Sequence, residues 1–310
     1  MSYALLFPGQ GSQSVGMLGP LSAEFPQVRS TFEEASGAVG YDLWQLAEEG
    51  PPEALQEAEK VQPALVAADV AVWRAWQSLG APAPKAAAGH SLGEYAALVC
   101  AGVMGFADAL QLVALRGRLM KEAAGEKGGG MAAILGMPDD AVDRLCAAAP
   151  AGEMCEAANL NAPGQVVIAA SRPALAWLKD NAAQFGARRV VELAMSVPSH
   201  CSIMKPAARA LGERLATIPL HAASFPVLHN VDTLPRTAAT EVREALSSQL
   251  YHPVRWAETI ARLVADGVDA FLECGPGRVL SGLQRRNARS AQSYALEDPE
   301  QLRKAAAALG

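Results

Sequence analysis

The 310-residue sequence predicts a mixed α/β protein whose core is interrupted once by a smaller α/β unit. Three observations predict it. Short apolar runs ending in glycine-rich turns alternate with amphipathic stretches of helical period in the first and last thirds of the chain. A run of small residues, 86–88, passes through Gly89-His90-Ser91-Leu92-Gly93 into a helix-compatible stretch, which reads as strand, sharp turn and helix. Between a glycine-rich joint at 125–130 and Met195 the order changes to β-α-β-β-α-β, the split βαβ arrangement.

Each element has its own signal. Residues 3–7 are a continuous apolar run, the mark of a buried strand, and Pro8-Gly9-Gln10-Gly11-Ser12-Gln13 follows as a loop. Its two glycines fit an ordinary turn, or a loop whose N–H groups approach a ligand; the Gly-x-Gly-x-x-Gly spacing of a dinucleotide site is not met. Residues 18–46 read as amphipathic helix broken near 37–40. Residues 61–79 read as a strong helix with Pro63 in its first turn and Leu65, Ala68, Val72 and Trp76 at helical spacing, Trp73 and Trp76 belonging to the core. Residues 106–124 form the next helix. In the interrupting block, strands are expected at 131–136, 154–160, 165–170 and 187–193. Helices are expected at 138–149 and 173–185, and a turn at Asn161-Ala162-Pro163-Gly164. A helix with Met204, Ala208, Leu211 and Leu215 follows, then a strand at 225–229, a turn at 249–256 and a helix to 266. A strand at 268–273 ends in Gly275-Pro276-Gly277, ahead of a helix at 278–287.

Composition narrows the function. Half the residues are apolar (51%), enough for a large core, and no apolar run reaches the length of a membrane span. The N-terminus lacks a basic region and breaks at Pro8, unlike a signal peptide. Five scattered cysteines without a Cys-x-x-Cys pair point to a reducing cytoplasm and away from a disulfide scaffold or a zinc site. A net charge of −6 disfavours nucleic acid as a partner.

Three residues stand out chemically. Ser91 centres Gly-x-Ser-x-Gly, where a sharp turn exposes the hydroxyl and the following helix points its positive end at it. Arg116 falls inside the apolar stripe Phe106, Ala109, Leu110, Val113, Gly117 and Met120, whereas Arg118 lies on the polar side with Gln111 and Lys121. An inward guanidinium must be paired, by a structural carboxylate or as a bidentate clamp on a substrate carboxylate. His200 follows Pro198 at a loop-to-helix junction. It has the most site-like setting of the five histidines, although a capped or solvated role fits it too. Arg278, Arg285, Arg286 and Arg289 form the densest basic cluster, either a solvated helix face or a docking patch for an acidic partner.

Taken in order, Gly9-Gln10-Gly11-Ser12-Gln13, Gly89-His90-Ser91-Leu92-Gly93-Glu94, Arg116-Gly117, Asn159-Leu160-Asn161-Ala162-Pro163-Gly164-Gln165, Val197-Pro198-Ser199-His200, Gln249-Leu250-Tyr251 and Glu273-Cys274-Gly275-Pro276-Gly277 resemble the malonyl-CoA:acyl carrier protein transacylase family over nearly the whole chain. The resemblance implies an α/β-hydrolase-like core with a parallel sheet, residues 1–126 and 196–310, and an inserted ferredoxin-like subdomain, residues 127–195. It implies a ping-pong exchange in which Ser91 attacks a malonyl thioester and His200 acts as base and then acid. It assigns the oxyanion hole to the N–H groups of Gln10 and Leu92, the malonate carboxylate to Arg116, and the orientation of His200 to Gln249 through its carbonyl. Asn159, Asn161 and Ser199 are given only contacts beside the site. Malonyl-selective members of the wider acyltransferase family often carry Phe before the site His; Ser199 stands there, which leaves exclusion of methylmalonyl open. The implied partners are coenzyme A thioester and acyl carrier protein. The implied state is a cytoplasmic monomer that needs no cofactor or metal beyond the phosphopantetheine its substrates carry. The same chemistry would serve a trans-acting polyketide or malonate-decarboxylase acyltransferase; a serine thioesterase or esterase, and a non-catalytic carrier-binding module, are the remaining alternatives.

Overall fold

The computed structural model describes residues 2–125, 128–193 and 197–309. Its strands are β1 (Tyr3–Phe7), β2 (Ala86–Gly89), β3 (Gly130–Leu135), β4 (Cys155–Ala162), β5 (Gln165–Ala170), β6 (Arg189–Glu192), β7 (Val227–Leu228), β8 (Ala270–Glu273) and β9 (Gln292–Ala295). Five of them form a parallel sheet in the order β7-β2-β1-β8-β9. The other four form an antiparallel sheet in the order β4-β5-β3-β6, with helices Val142–Ala147 and Arg172–Asn181 as its crossovers. The predicted class, a parallel α/β core with a ferredoxin-like βαββαβ unit, is the observed one.

The central strands β2, β1 and β8 are buried along their whole length, which is why β1 has no charged residue. Tyr3, Leu5 and Phe7 pack with helix Ala58–Ser78 on one face, while Ala4 and Leu6 meet Trp256, Ile260 and Phe271 on the other. Trp76 is fully buried and Trp73 nearly so, as predicted. The antiparallel unit has its own core of Ile134, Leu145, Ile168, Leu175 and Leu178.

Several boundaries differ from expectation. The 18–46 stretch holds three helices, Gly19–Glu24, Pro26–Val39 and Leu43–Glu49, because Pro26 opens a new helix and Gly40, at φ 81°, closes it. Helix Ala58–Ser78 starts earlier than predicted, so Pro63 lies in its second turn. Asn161 belongs to β4, and only Pro163-Gly164 makes the turn, with Gly164 at φ 70°. The strand expected at 225–229 pairs over two residues only. Gln249, expected in a turn, ends helix Ala239–Gln249, whose buried residues Val242, Ala245, Leu246 and Gln249 give a short and faint stripe. Strand β9 and helix Pro299–Leu309 complete the chain. The predicted junctions at 126/127 and 195/196, with Met195-Ser196, lie outside the described residues. Among the described residues no helix is long and apolar enough to cross a membrane.

Candidate active site

Ser91 sits where β2 turns into helix Gly93–Cys100, with φ 52°, a left-handed conformation that costs a non-glycine residue energy. The glycines around it permit the turn. A Cβ on Gly89 would stand 1.9 Å from the Gly93 carbonyl carbon, and one on Gly93 would stand 2.0 Å from the Phe7 oxygen. Asn230, just beyond β7, clamps the turn from the side. Its Oδ1 accepts from the Ser91 N–H at 2.7 Å and its Nδ2 donates to the Gly89 carbonyl at 2.7 Å.

The Ser91 hydroxyl meets two groups. His200 Nε2 is 2.7 Å from Oγ, and Arg116 Nη2 donates to the same oxygen at 3.1 Å. His200 is itself left-handed, at φ 59°, and buried. Its Nδ1–H donates to the Gln249 carbonyl at 2.7 Å, which leaves Nε2 as the acceptor facing the serine. Burial, and then the Arg116 charge, push the His200 pKa down to about 3, so the imidazole is neutral and free to take a proton.

Arg116 comes from the middle of helix Phe106–Ala124 and is 2% exposed. Its Nη1 donates to Gln62 Oε1 at 3.0 Å and its Nη2 also to Gln249 Oε1 at 3.3 Å. The guanidinium lies 5.5 Å from the centroid of the Tyr95 ring, close enough for cation–π attraction. Burial lowers its pKa, yet a guanidinium stays charged. Among the described residues no carboxylate forms an ion pair with it. Arg118 lies exposed beside Glu122 on the opposite side of the helix.

These groups line a cleft between the two sheets. Gln10, His90, Leu92 and Met120 form the wall of the parallel core, Met131 and Asn159 that of the antiparallel unit, and Ser199 lies beside His200. The backbone N–H groups of Gln10 and Leu92 have no acceptor among the described residues. Asn161 Oδ1 stands 2.8 Å from His90 Nε2, which ties β4 to the elbow. Asn159 is buried in the cleft wall, and Ser199 Oγ makes only a long contact, 3.4 Å, to the Val197 carbonyl. The structure thus brings together Ser91, His200, Arg116, Gln249, Gln10, Leu92, Asn159 and Ser199, with Asn161 one contact out. Arg278 turns instead to Glu297 and Asp298, and Arg285 and Arg289 are exposed. Among the described residues no three His, Cys, Asp or Glu side chains are grouped to hold a metal ion.

Sequence reasoning missed Gln62, Glu94 and Asn230. Glu94 accepts from His229 Nδ1, the Asn230 N–H and Gln249 Nε2, with no exposed surface. A signal existed for two of them. Gln62 interrupts the apolar run Val61 to Ala68, and Glu94 is the only charge between Gly93 and Cys100. Nothing local marks Asn230, because its partners are about 140 residues away in sequence.

Fold and site together define an α/β protein with a serine–histidine pair beside a buried guanidinium. The chain belongs to the acyl transferase domain family, which matches it over residues 4–299. It is 48% identical over 300 residues, 97% of each chain, to the malonyl CoA-acyl carrier protein transacylase of Salmonella typhimurium. It is 41% identical to the Bacillus subtilis protein of that name, over 96% of this chain and 94% of the other. Among solved structures, it is similar to the malonyl CoA-acyl carrier protein transacylase of Coxiella burnetii, with TM-score 0.98 and 43% identity over 100% of this chain and 98% of that one. A malonyl-transacylase solved in complex with a type II PKS acyl-carrier protein matches with TM-score 0.97 and 47% identity, over 99% of this chain and 100% of that one.

Proposed function

We propose that this protein transfers the malonyl group of malonyl-CoA to the phosphopantetheine thiol of acyl carrier protein through a malonyl ester on Ser91. One observation carries the proposal: a neutral base and a buried cation without an ion pair among the described residues both meet the Ser91 hydroxyl. In the first half-reaction Oγ attacks the thioester carbonyl and His200 Nε2 takes its proton. The negative charge on the carbonyl oxygen is met by the N–H groups of Gln10 and Leu92. Collapse breaks the carbon–sulfur bond, and the proton on His200 leaves with the thiol of coenzyme A. In the second half-reaction the carrier thiol gives its proton to His200 and attacks the ester, and Ser91 Oγ recovers the proton as it departs. Arg116 holds the malonyl carboxylate throughout by charge-assisted hydrogen bonds. Gln249 fixes the tautomer of His200 through its carbonyl, a role that a carboxylate fills in hydrolytic triads.

The same reading takes residues 127–195 as an insertion that roofs the site and residues 1–126 and 196–310 as the catalytic core, working as a cytoplasmic monomer. The high similarity to a transacylase that serves a type II PKS carrier makes polyketide synthesis a second setting for the same chemistry. Initial rates measured against both malonyl-CoA and holo carrier protein test the proposal. Ping-pong transfer gives parallel double-reciprocal lines and malonyl on the carrier thiol. Release of free malonate at a rate unaffected by the carrier would identify a hydrolase. Competition between fatty-acid and polyketide carriers separates the two settings.

A further inference from the structure

Glu94 lies in the first turn of the elbow helix, three residues after Ser91, and has no exposed surface. Three N–H groups converge on its carboxylate. His229 Nδ1 donates to Oε1 at 2.7 Å; the Asn230 backbone N–H and Gln249 Nε2 donate to Oε2 at 2.9 Å each. The other ring nitrogen of His229 is buried and without a partner among the described residues. His229 thus presents its Nδ1–H to the Glu94 carboxylate, whose charge acts on Arg116.

The Gln249 amide connects that charge to Arg116. Its Nε2 donates to Glu94 Oε2 and to the Ser91 carbonyl, both at 2.9 Å, so its Oε1 faces Arg116 Nη2. Rotating the amide by half a turn would set its NH2 against the guanidinium and its oxygen against the carboxylate. Glu94, the charged member of the three acceptors that Nε2 meets (Glu94 Oε2, the Ser91 carbonyl and Asn230 Oδ1), thus helps decide which Gln249 atom faces Arg116. A carboxylate directly on Arg116 would compete with an acyl carboxylate for the guanidinium, and no nearby anion would leave a buried cation without compensation. A carboxylate one amide away avoids both.

We infer that Glu94 is a specificity-determining positioning residue. By fixing the polarity of the Gln249 amide it holds Arg116 beside Ser91, and it supplies the counter-charge of the site while leaving the guanidinium open to an acidic acyl group. The inference rests on the proposed function, which supplies the acyl carboxylate.

Steady-state kinetics of the full chain and of Glu94→Gln with malonyl-CoA and acetyl-CoA, with thermal unfolding alongside, test it. Glutamine keeps the size of the side chain and removes the charge. The expected result is a loss of about tenfold or more in the ratio of kcat/KM for malonyl over acetyl, the loss of one charge-assisted contact. It should fall mainly on KM for malonyl-CoA. Gln249→Leu, which cuts the same link and keeps the carbonyl that serves His200, should lose the same ratio, and the double variant should add little to either. An unchanged ratio, or equal losses for both thioesters, overturns the inference. If Glu94→Gln does not fold, an unchanged ratio in Gln249→Leu overturns it alone. A parent enzyme that forms no acyl ester from malonyl-CoA would instead overturn the proposed function.

Discussion

Arg116 Nη2 donates to Ser91 Oγ at 3.1 Å, so the fixed cation of the site touches the nucleophile itself. The guanidinium is 2% exposed and its hydrogen-bond acceptors among the described residues are the neutral Gln62, Gln249 and Ser91 oxygens. Among the described residues no anion pairs with it, so its charge is open to a bound acyl carboxylate. Arg116→Ala should lower kcat/KM for malonyl-CoA by a factor of tens or more, from about 1.5–3 kcal/mol of lost charge-assisted bonding. Acetyl-CoA turnover should be unaffected or faster. Parallel assays with both thioesters check this, and equal losses would remove Arg116 from substrate binding.

The lowered pKa of His200 has a definite sign. The neutral imidazole is the base, and burial with the Arg116 charge brings its pKa from 6.5 to about 3. The acid limb of kcat/KM should therefore lie well below 6.5, since kcat/KM reports the free enzyme. A malonyl carboxylate on Arg116 offsets part of the charge that lowers His200, so the acid limb of kcat should lie at higher pH than that of kcat/KM. The fold also loses stability as pH falls below 6.5, because the unfolded histidine binds a proton that the folded one refuses. A kcat/KM limb centred at the ordinary histidine value would contradict the buried, neutral base.

Gly93→Ala tests the elbow. The added Cβ would stand 2.0 Å from the Phe7 carbonyl oxygen, which is backbone and cannot swing away. Strand β1 or the elbow must shift, and a displacement of about 1 Å at a reacting group can cost about 100-fold in rate. The measurement is Ser91 acylation rate, with circular dichroism to establish folding. Parent-like acylation would mean that the turn is looser than its contacts imply.

Asp69, in helix Ala58–Ser78, is fully buried, and neither carboxyl oxygen has a hydrogen-bond partner among the described residues. Burial, with Glu273 adding to it, raises its pKa well above 3.8. Below 3.8 the carboxyl is protonated folded and unfolded alike. Above it only the unfolded chain ionises, so stability falls with rising pH, by up to about 1.4 kcal/mol per unit, until the folded value is reached. Asp69→Asn should raise the melting temperature at neutral pH, with a gain that shrinks as pH approaches 3.8. A gain independent of pH would show that packing rather than ionisation is at work.

Much of this site is legible in the sequence because its parts have local signatures. The elbow needs glycines at fixed positions around Ser91, and Arg116 breaks an apolar stripe that its helix otherwise obeys. The parallel core follows from fully apolar strands such as β1. What escaped was contact between segments far apart in the chain. Asn230 reaches Ser91 across 139 positions, and Gln249 reaches it across 158. Helix Ala239–Gln249 was hidden by its thin apolar face, and with it the helical setting of Gln249. Asn161 reads as a turn residue because Asn-Ala-Pro-Gly resembles a turn, whereas Pro163-Gly164 alone suffices to close the hairpin.

In the proposed reaction Ser91 carries the acyl group between two thiols. Intact mass spectrometry of the purified protein, mixed with malonyl-CoA in the absence of carrier, tests it most directly. The expected result is a gain of one malonyl group, located on Ser91 by peptide mapping, absent from Ser91→Ala, and discharged when holo carrier protein is added. An unmodified protein that still moves malonyl to the carrier, or a label on any other residue, would contradict it.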